Sequence, residues 1–193
     1  DLLKARAAAT GSVGGARFGQ ITFNVGLRGR EWRASGLHVS PLGTAPPRGL
    51  FIHSHGSMSA RYLAPSMVGY AAGDGTATMR ALYATLSQLG YHVLALDDLG
   101  LGLSDAAHQA YMLHDDVAAV ALSMLRAVRC ELLASGVAVG RQLHAMGGSH
   151  GGYETAAIQR RVQAEAGWLG VGIVGSFMHA PPLDASGVML DLL

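Results

Sequence analysis

The 193-residue sequence holds a single cysteine, Cys130, so no internal disulfide can form. Set in a helical pattern, Cys130 reads as a small packing or surface residue rather than a nucleophile. Charge is scarce as well: Asp, Glu, Lys and Arg together make up 14% of the chain and leave a formal net charge of +1. The basic residues are scattered, which gives no electrostatic footprint for nucleic acid or an anionic membrane. No apolar run reaches the roughly 18 residues of a spanning helix, and no basic-then-apolar leader opens the chain. Apolar residues nonetheless make up 50% of the sequence. At this length that suffices to bury a sizeable core as one domain or part of one, and it excludes a disordered chain.

Residues 1 to 19 are rich in Ala and Gly and read as a short helix followed by a flexible approach. Ile21 to Leu27 and Trp32 to Ser40 flank the turn signal Arg28-Gly-Arg30, which predicts an antiparallel hairpin. Gly49 to Gly56 is a short apolar run emptying into a loop, as a buried central strand would. Thr76 to Leu89 has helical spacing and Gly90 behind it; Tyr91 to Leu96 follows as a strand. Its exit, Asp97 to Ser104, reads as a turn with two glycines. Asp115 to Leu133 carries one apolar face, with acids early and arginines late, as a helix dipole favours. Leu169 to Phe177 predicts another buried strand. This alternation from residue 49 onward predicts an α/β fold: a mostly parallel sheet behind an N-terminal antiparallel hairpin, with helices on both faces and no linker dividing the chain.

Leu143 to Ala157 concentrates the chemistry. Gly147-Gly-Ser149-His-Gly151 fits G-x-S-x-G, between residues apolar enough for a strand and residues through Val162 that suit a helix. In that setting a sharp, strained turn lifts a serine hydroxyl clear of the sheet. Gly147, Gly151 and Gly152 keep the neighbouring backbone free of side-chain clashes. Ser149 is the expected nucleophile.

Several stretches together resemble the α/β-hydrolase superfamily and, more narrowly, secretory-lipase-like serine esterases. His55-Gly56 after an apolar strand looks like the oxyanion loop, and Ala64-Pro-Ser66 is similar to the segment that follows it. Asp97 to Ser104 resembles D-x-R-G-x-G-x-S, with Leu99 in place of arginine. Gly147 to Gly152 resembles G-x-S-Q-G-G, with His150 in place of glutamine, and Ala180-Pro-Pro-Leu-Asp184 resembles the exit of the sixth strand toward a lid. The resemblance covers roughly residues 20 to 190. It implies an ester hydrolase acting through an acyl-enzyme on Ser149, on small-molecule or lipid-like esters, without a cofactor, and in a secreted or periplasmic setting.

Acyl transfer through a serine needs a base, an acid to orient that base, and donors for the oxyanion. The expected donors are the backbone N–H groups of His150 and Ser57, with Met58 as the fallback for the second and His55 and Gly56 forming the loop around it. The usual order is Ser, acid, His. After Ser149 come the acids Glu154, Glu165, Asp184 and Asp191 and the histidines His150 and His179, and no histidine follows Asp184. A side chain next to the nucleophile rarely curls back to serve it, and His179 precedes its acid, so it reads as a loop histidine. The expectation is a single α/β-hydrolase domain over 1–193 that lacks the last strands, whose loops would carry acid and base.

Three other patterns are set aside. Gly170 to Gly175 spells G-x-G-x-x-G but sits inside a strand and does not open a helix. His53 and His55 lack a third ligand nearby in sequence, so no metal is expected. Asp97-Asp98 reads as turn chemistry. The rival functions are a peptidase or acyltransferase on the same scaffold, or a non-catalytic ligand-binding homologue.

Overall fold

The computed structural model describes residues 8–13, 15–43, 46–67 and 74–184. Its strands are β1 (Ala8–Val13), β2 (Ala16–Leu27), β3 (Arg30–Pro41), β4 (Gly49–Ser54), β5 (Tyr91–Leu96), β6 (Gln142–Gly148) and β7 (Gly172–His179). The helices are α1 (Asp74–Gln88), α2 (His114–Ala134) and α3 (His150–Leu169), with two single 3-10 turns at Arg61–Leu63 and Pro65–Met67. The strands form one seven-stranded sheet in the order β1-β2-β3-β5-β4-β6-β7. β1, β2 and β3 are antiparallel neighbours and β3 pairs antiparallel with β5, while β5, β4, β6 and β7 run parallel.

The hairpin turn between β2 and β3 has Arg28 and Gly29 at φ 52° and 72°, the left-handed pair that matches the twist of the flanking strands. Alternation along each strand then sorts side chains to the two faces. Val93 and Ala95 of β5 join Phe18, Leu37 and Val39 against Tyr83 and Ala84 of α1. Leu94 and Leu96 join Leu50, Ile52, Leu143 and Ala145 against α2 and α3, through Val120, Met124, Val128 and Ile158. Covering both faces explains why the central strands read as continuous apolar runs.

The chain goes from β4 outward to β5, then crosses back past β4 to β6. At that reversal the exits of β4 and β6 become neighbours, leaving a crevice at the carboxyl ends of the strands. The two exits touch at backbone level. A Cβ on Gly151 would stand 2.2 Å from the carbonyl oxygen of Ser54, and one on Gly147 would stand 2.1 Å from that of Gly151. The backbones approach closely enough to leave no room for a side chain.

Several expectations need correction. The predicted helix in residues 1 to 19 is instead β1 and the start of β2, with residues 1–7 outside the described part. Ala and Gly show no strand periodicity, and pairing with β2 supplies what side chains do not. The strand predicted at Leu169–Phe177 runs from Gly172 to His179 and is not buried: Val174 is 58% and Phe177 61% exposed. Cys130 is exposed. Leu99, where the resemblance has arginine, is buried in the larger core cluster.

Burial, aided by the neighbouring His92, pushes the pKa of His38 down to about 3, and burial pushes His92 down to about 4. Burial and the nearby His55 push His53 down to about 4. In the unfolded chain these histidines take up protons near pH 6.5. Between 6.5 and about 4 the unfolded state therefore binds more protons, so stability is complete above pH 6.5 and falls as acid is added. The unfolding free energy from urea titration should fall between pH 7 and 5, by up to about 1.4 kcal/mol per pH unit for each such histidine, and the midpoint should fall with it. A midpoint constant over that range contradicts it. Gly151→Ala should cost about 2–3 kcal/mol, because only backbone movement can relieve its clash. An unchanged thermal midpoint would show that the two strand exits can part freely.

Candidate active site

Ser149 stands exposed at the turn between β6 and α3, with φ 54° and ψ −123°. A non-glycine residue there carries strain of about 1–3 kcal/mol and persists only when its surroundings hold it. Here the Ser149 N–H donates to the His179 carbonyl at 2.8 Å and the Ser149 carbonyl accepts from the N–H of Gly152 at 2.9 Å. α3 starts at the next residue, so the His150 N–H is among the donors a helix leaves unpaired at its N-terminus. Glycine at 151 is required by the close approach to β4, and glycine at 147 by the Gly151 carbonyl, with the Ser54 carbonyl of β4 next at 2.9 Å. Gly152 is also tight, its Cβ position 3.1 Å from the His179 carbonyl oxygen.

The loop leaving β4 lies alongside. A Cβ on Gly56 would come 3.7 Å from the carbonyl oxygen of Gly148, an ordinary contact. Gly56 is thus adjacent to the turn without glycine being sterically required there. Ser57 is exposed and Met58 half-buried. His55, 3% exposed, holds its Nδ1 2.6 Å from the Gly56 carbonyl oxygen. A carbonyl can only accept, so Nδ1 carries the proton, and Nε2 faces Asp98 Oδ2 at 3.7 Å.

Beneath the turn lies a cluster of groups that the sequence reading left unconnected. His150 and Glu154 are both fully buried, with His150 Nδ1 3.2 Å from Glu154 Oε1. Asp98, buried too, accepts from Gln109 Nε2 at 3.1 Å. Asp98, His150 and Glu154 each offer a ligand-type atom within 4.8 Å of the others. The hydrogen bonding speaks against a metal, because Met112 N–H donates to His150 Nε2 at 3.2 Å. A neutral imidazole accepting at Nε2 carries its proton on Nδ1, where it faces Glu154 and leaves no lone pair for an ion. Burial lowers the His150 pKa, partly opposed by Asp98, and burial together with Asp98 raises Glu154 well above the usual carboxylate range. Both shifts favour the neutral forms.

Asp97 also belongs to this end of the sheet and does more than make a turn. Its Oδ2 accepts from Ser35 Oγ at 2.6 Å and its Oδ1 from the Ser66 N–H at 2.9 Å, tying β3 and the second 3-10 turn to the end of β5. Burial nevertheless raises its pKa, with those hydrogen bonds opposing. Tyr111 is the other residue missed. Its ring lies on that of His150 at 4.2 Å, and its Oη is 2.8 Å from Ser57 Oγ. The spacing of Glu154, one helical turn beyond His150, was visible in the sequence; nothing local marked Asp98 or Tyr111. His179, at the end of β7, is exposed and contributes its backbone carbonyl to the turn. Of the set-aside metal pair, His53 Nδ1 is 2.9 Å from the Tyr83 hydroxyl, in the core.

No family model and no curated protein matches the sequence. Solved structures do. The rice cell wall degrading esterase LipA from Xanthomonas oryzae is similar over 91% of this chain and 45% of that one, at 24% identity and TM-score 0.74. Candida antarctica lipase A in its closed state is similar over 98% of this chain and 44% of that one, at 16% identity and TM-score 0.71. The chain spans less than half the length of these structures. Strand order, crossovers and these likenesses together give the chain the α/β-hydrolase fold.

Proposed function

We propose that the protein is a serine hydrolase that cleaves carboxylic esters through an acyl-enzyme on Ser149. The observation that carries this reading is the strained, exposed Ser149 between a β-strand and a helix N-terminus, held by backbone hydrogen bonds. The Ser149 hydroxyl attacks the ester carbonyl and expels the alcohol. The N–H groups of His150 and Ser57 donate to the oxygen that becomes negative, with Met58 the alternative to Ser57, and water then releases the acid. His55 and Gly56 shape the loop that presents Ser57, and Gly147, Gly151 and Gly152 allow the turn its tightness. No metal or cofactor enters this scheme.

His150 is engaged by Glu154, Met112 and Tyr111, so the base is another histidine with its own acid. The exposed apolar side chains of Tyr62, Leu63, Leu103, Tyr111 and Leu113 lie on the loops that leave the carboxyl ends of β4 and β5. They suit an apolar acyl or alcohol group, which favours esters over peptides. The esterase and lipase among the similar structures support the same substrate class.

The test uses the natural full-length polypeptide that contains these residues. Ser149→Ala should lower turnover of short-chain p-nitrophenyl esters by roughly 10⁴ to 10⁶ and abolish fluorophosphonate labelling, with little change in stability. Retained turnover by a folded Ser149→Ala protein refutes the assignment.

A further inference from the structure

One side chain touches both residues whose N–H groups serve as oxyanion donors in the reading above. Tyr111 lies in the connection from β5 to α2. Its ring stacks on His150 with centroids 4.2 Å apart and planes 15° from parallel, while its hydroxyl is 2.8 Å from Ser57 Oγ. Ser57 belongs to the loop after β4 and His150 to the start of α3, so Tyr111 bridges two separate elements across the mouth of the site.

The residue that follows is held with unusual care. Met112 has φ 58°, a left-handed conformation that a non-glycine residue adopts only under constraint. Both of its backbone polar groups are taken by α3 side chains. Its N–H donates to His150 Nε2 at 3.2 Å, and its carbonyl accepts from the Tyr153 hydroxyl at 2.8 Å. The first of these bonds needs a bare Nε2, and therefore a neutral ring with its proton on Nδ1. Glu154 Oε1 stands 3.2 Å from Nδ1 without completing a hydrogen bond, and a carboxyl oxygen so close favours a proton on Nδ1 over a lone pair there. In the other tautomer an Nε2–H would meet the Met112 N–H donor to donor, and the bond would be lost.

Resting on the serine-hydrolase reading, we propose that Tyr111 and Met112 form a strap that fixes the two oxyanion donors relative to one another, latched by the His150 tautomer that Glu154 selects. Tyr111 and Glu154 are positioning residues here. They act through Ser57 and His150, whose donors matter only as charge develops on the substrate oxygen, so their loss should fall on kcat and not on KM.

The experiment is a double-mutant cycle in the natural full-length polypeptide, read as kcat and KM for a short-chain ester. Tyr111→Phe keeps the stacking and loses the hydroxyl; it should lower kcat about 5- to 10-fold with KM nearly unchanged. Ser57→Ala should do the same, and the double variant should be no worse than either single one. Glu154→Leu should also lower kcat, and Glu154→Gln, whose amide oxygen can take the same place beside Nδ1, should keep most of it. Nitrogen-15 NMR of the His150 ring supplies a readout independent of turnover: Nδ1–H in the wild type and Glu154→Gln, and loss of that preference in Glu154→Leu. Additive losses from Tyr111→Phe and Ser57→Ala, or an Nε2–H tautomer in the wild type, overturn the strap while Ser149-dependent turnover leaves the serine reading standing. Turnover that survives Ser149→Ala sinks both.

Discussion

The structure turns on a backbone contact with no side chain in it. Gly151, in the first turn of α3, lies against the carbonyl of Ser54 at the end of β4, and a Cβ placed there would stand 2.2 Å from that oxygen. This contact docks the β6-to-α3 turn onto the neighbouring strand. It sets Ser149 beside the loop that starts at His55, the adjacency that the proposed nucleophile and the proposed oxyanion donor require. The strain at Ser149 persists because the turn is held at once by β4, the His179 carbonyl and the first turn of α3.

The polar groups beneath that turn follow from the same constraint. With α3 pressed onto the end of β4, His150 and Glu154 have no path to water, and both are wholly buried. Buried ionisable groups are tolerated when they are neutral or hydrogen-bonded. Here burial drives His150 and Glu154 toward their neutral forms, and the imidazole proton has one productive place. The hydrogen bond at Nε2 comes from the Met112 N–H and holds the loop from β5 onto the site. A packing demand in the core thus carries through one ring to the rim of the crevice.

Asp97 performs a comparable task further in, holding Ser35 of β3 and the backbone of Ser66 to the end of β5. The acidic pair Asp97-Asp98 therefore divides its labour. The first member braces the scaffold, and the second joins the cluster of His55, His150 and Glu154.

The sequence by itself determined the parts governed by local rules. The apolar runs of the parallel strands, the amphipathic face of α2, the Arg28-Gly29 turn and the glycine-flanked Ser149 all follow from period, propensity or backbone sterics within a few residues. Tertiary structure decided the rest. β1 is a strand through pairing alone, because its Ala and Gly residues carry no pattern that excludes a helix. β7 has a strand's sequence, yet the exposure of Val174 and Phe177 depends on what packs beside them, which no local window contains. Asp98 and Tyr111 became functional candidates, and Glu154 found its place against His150, only when the crossover past β4 brought separate chain segments together, since hydrogen bonds, burial and tautomers are properties of neighbours in space.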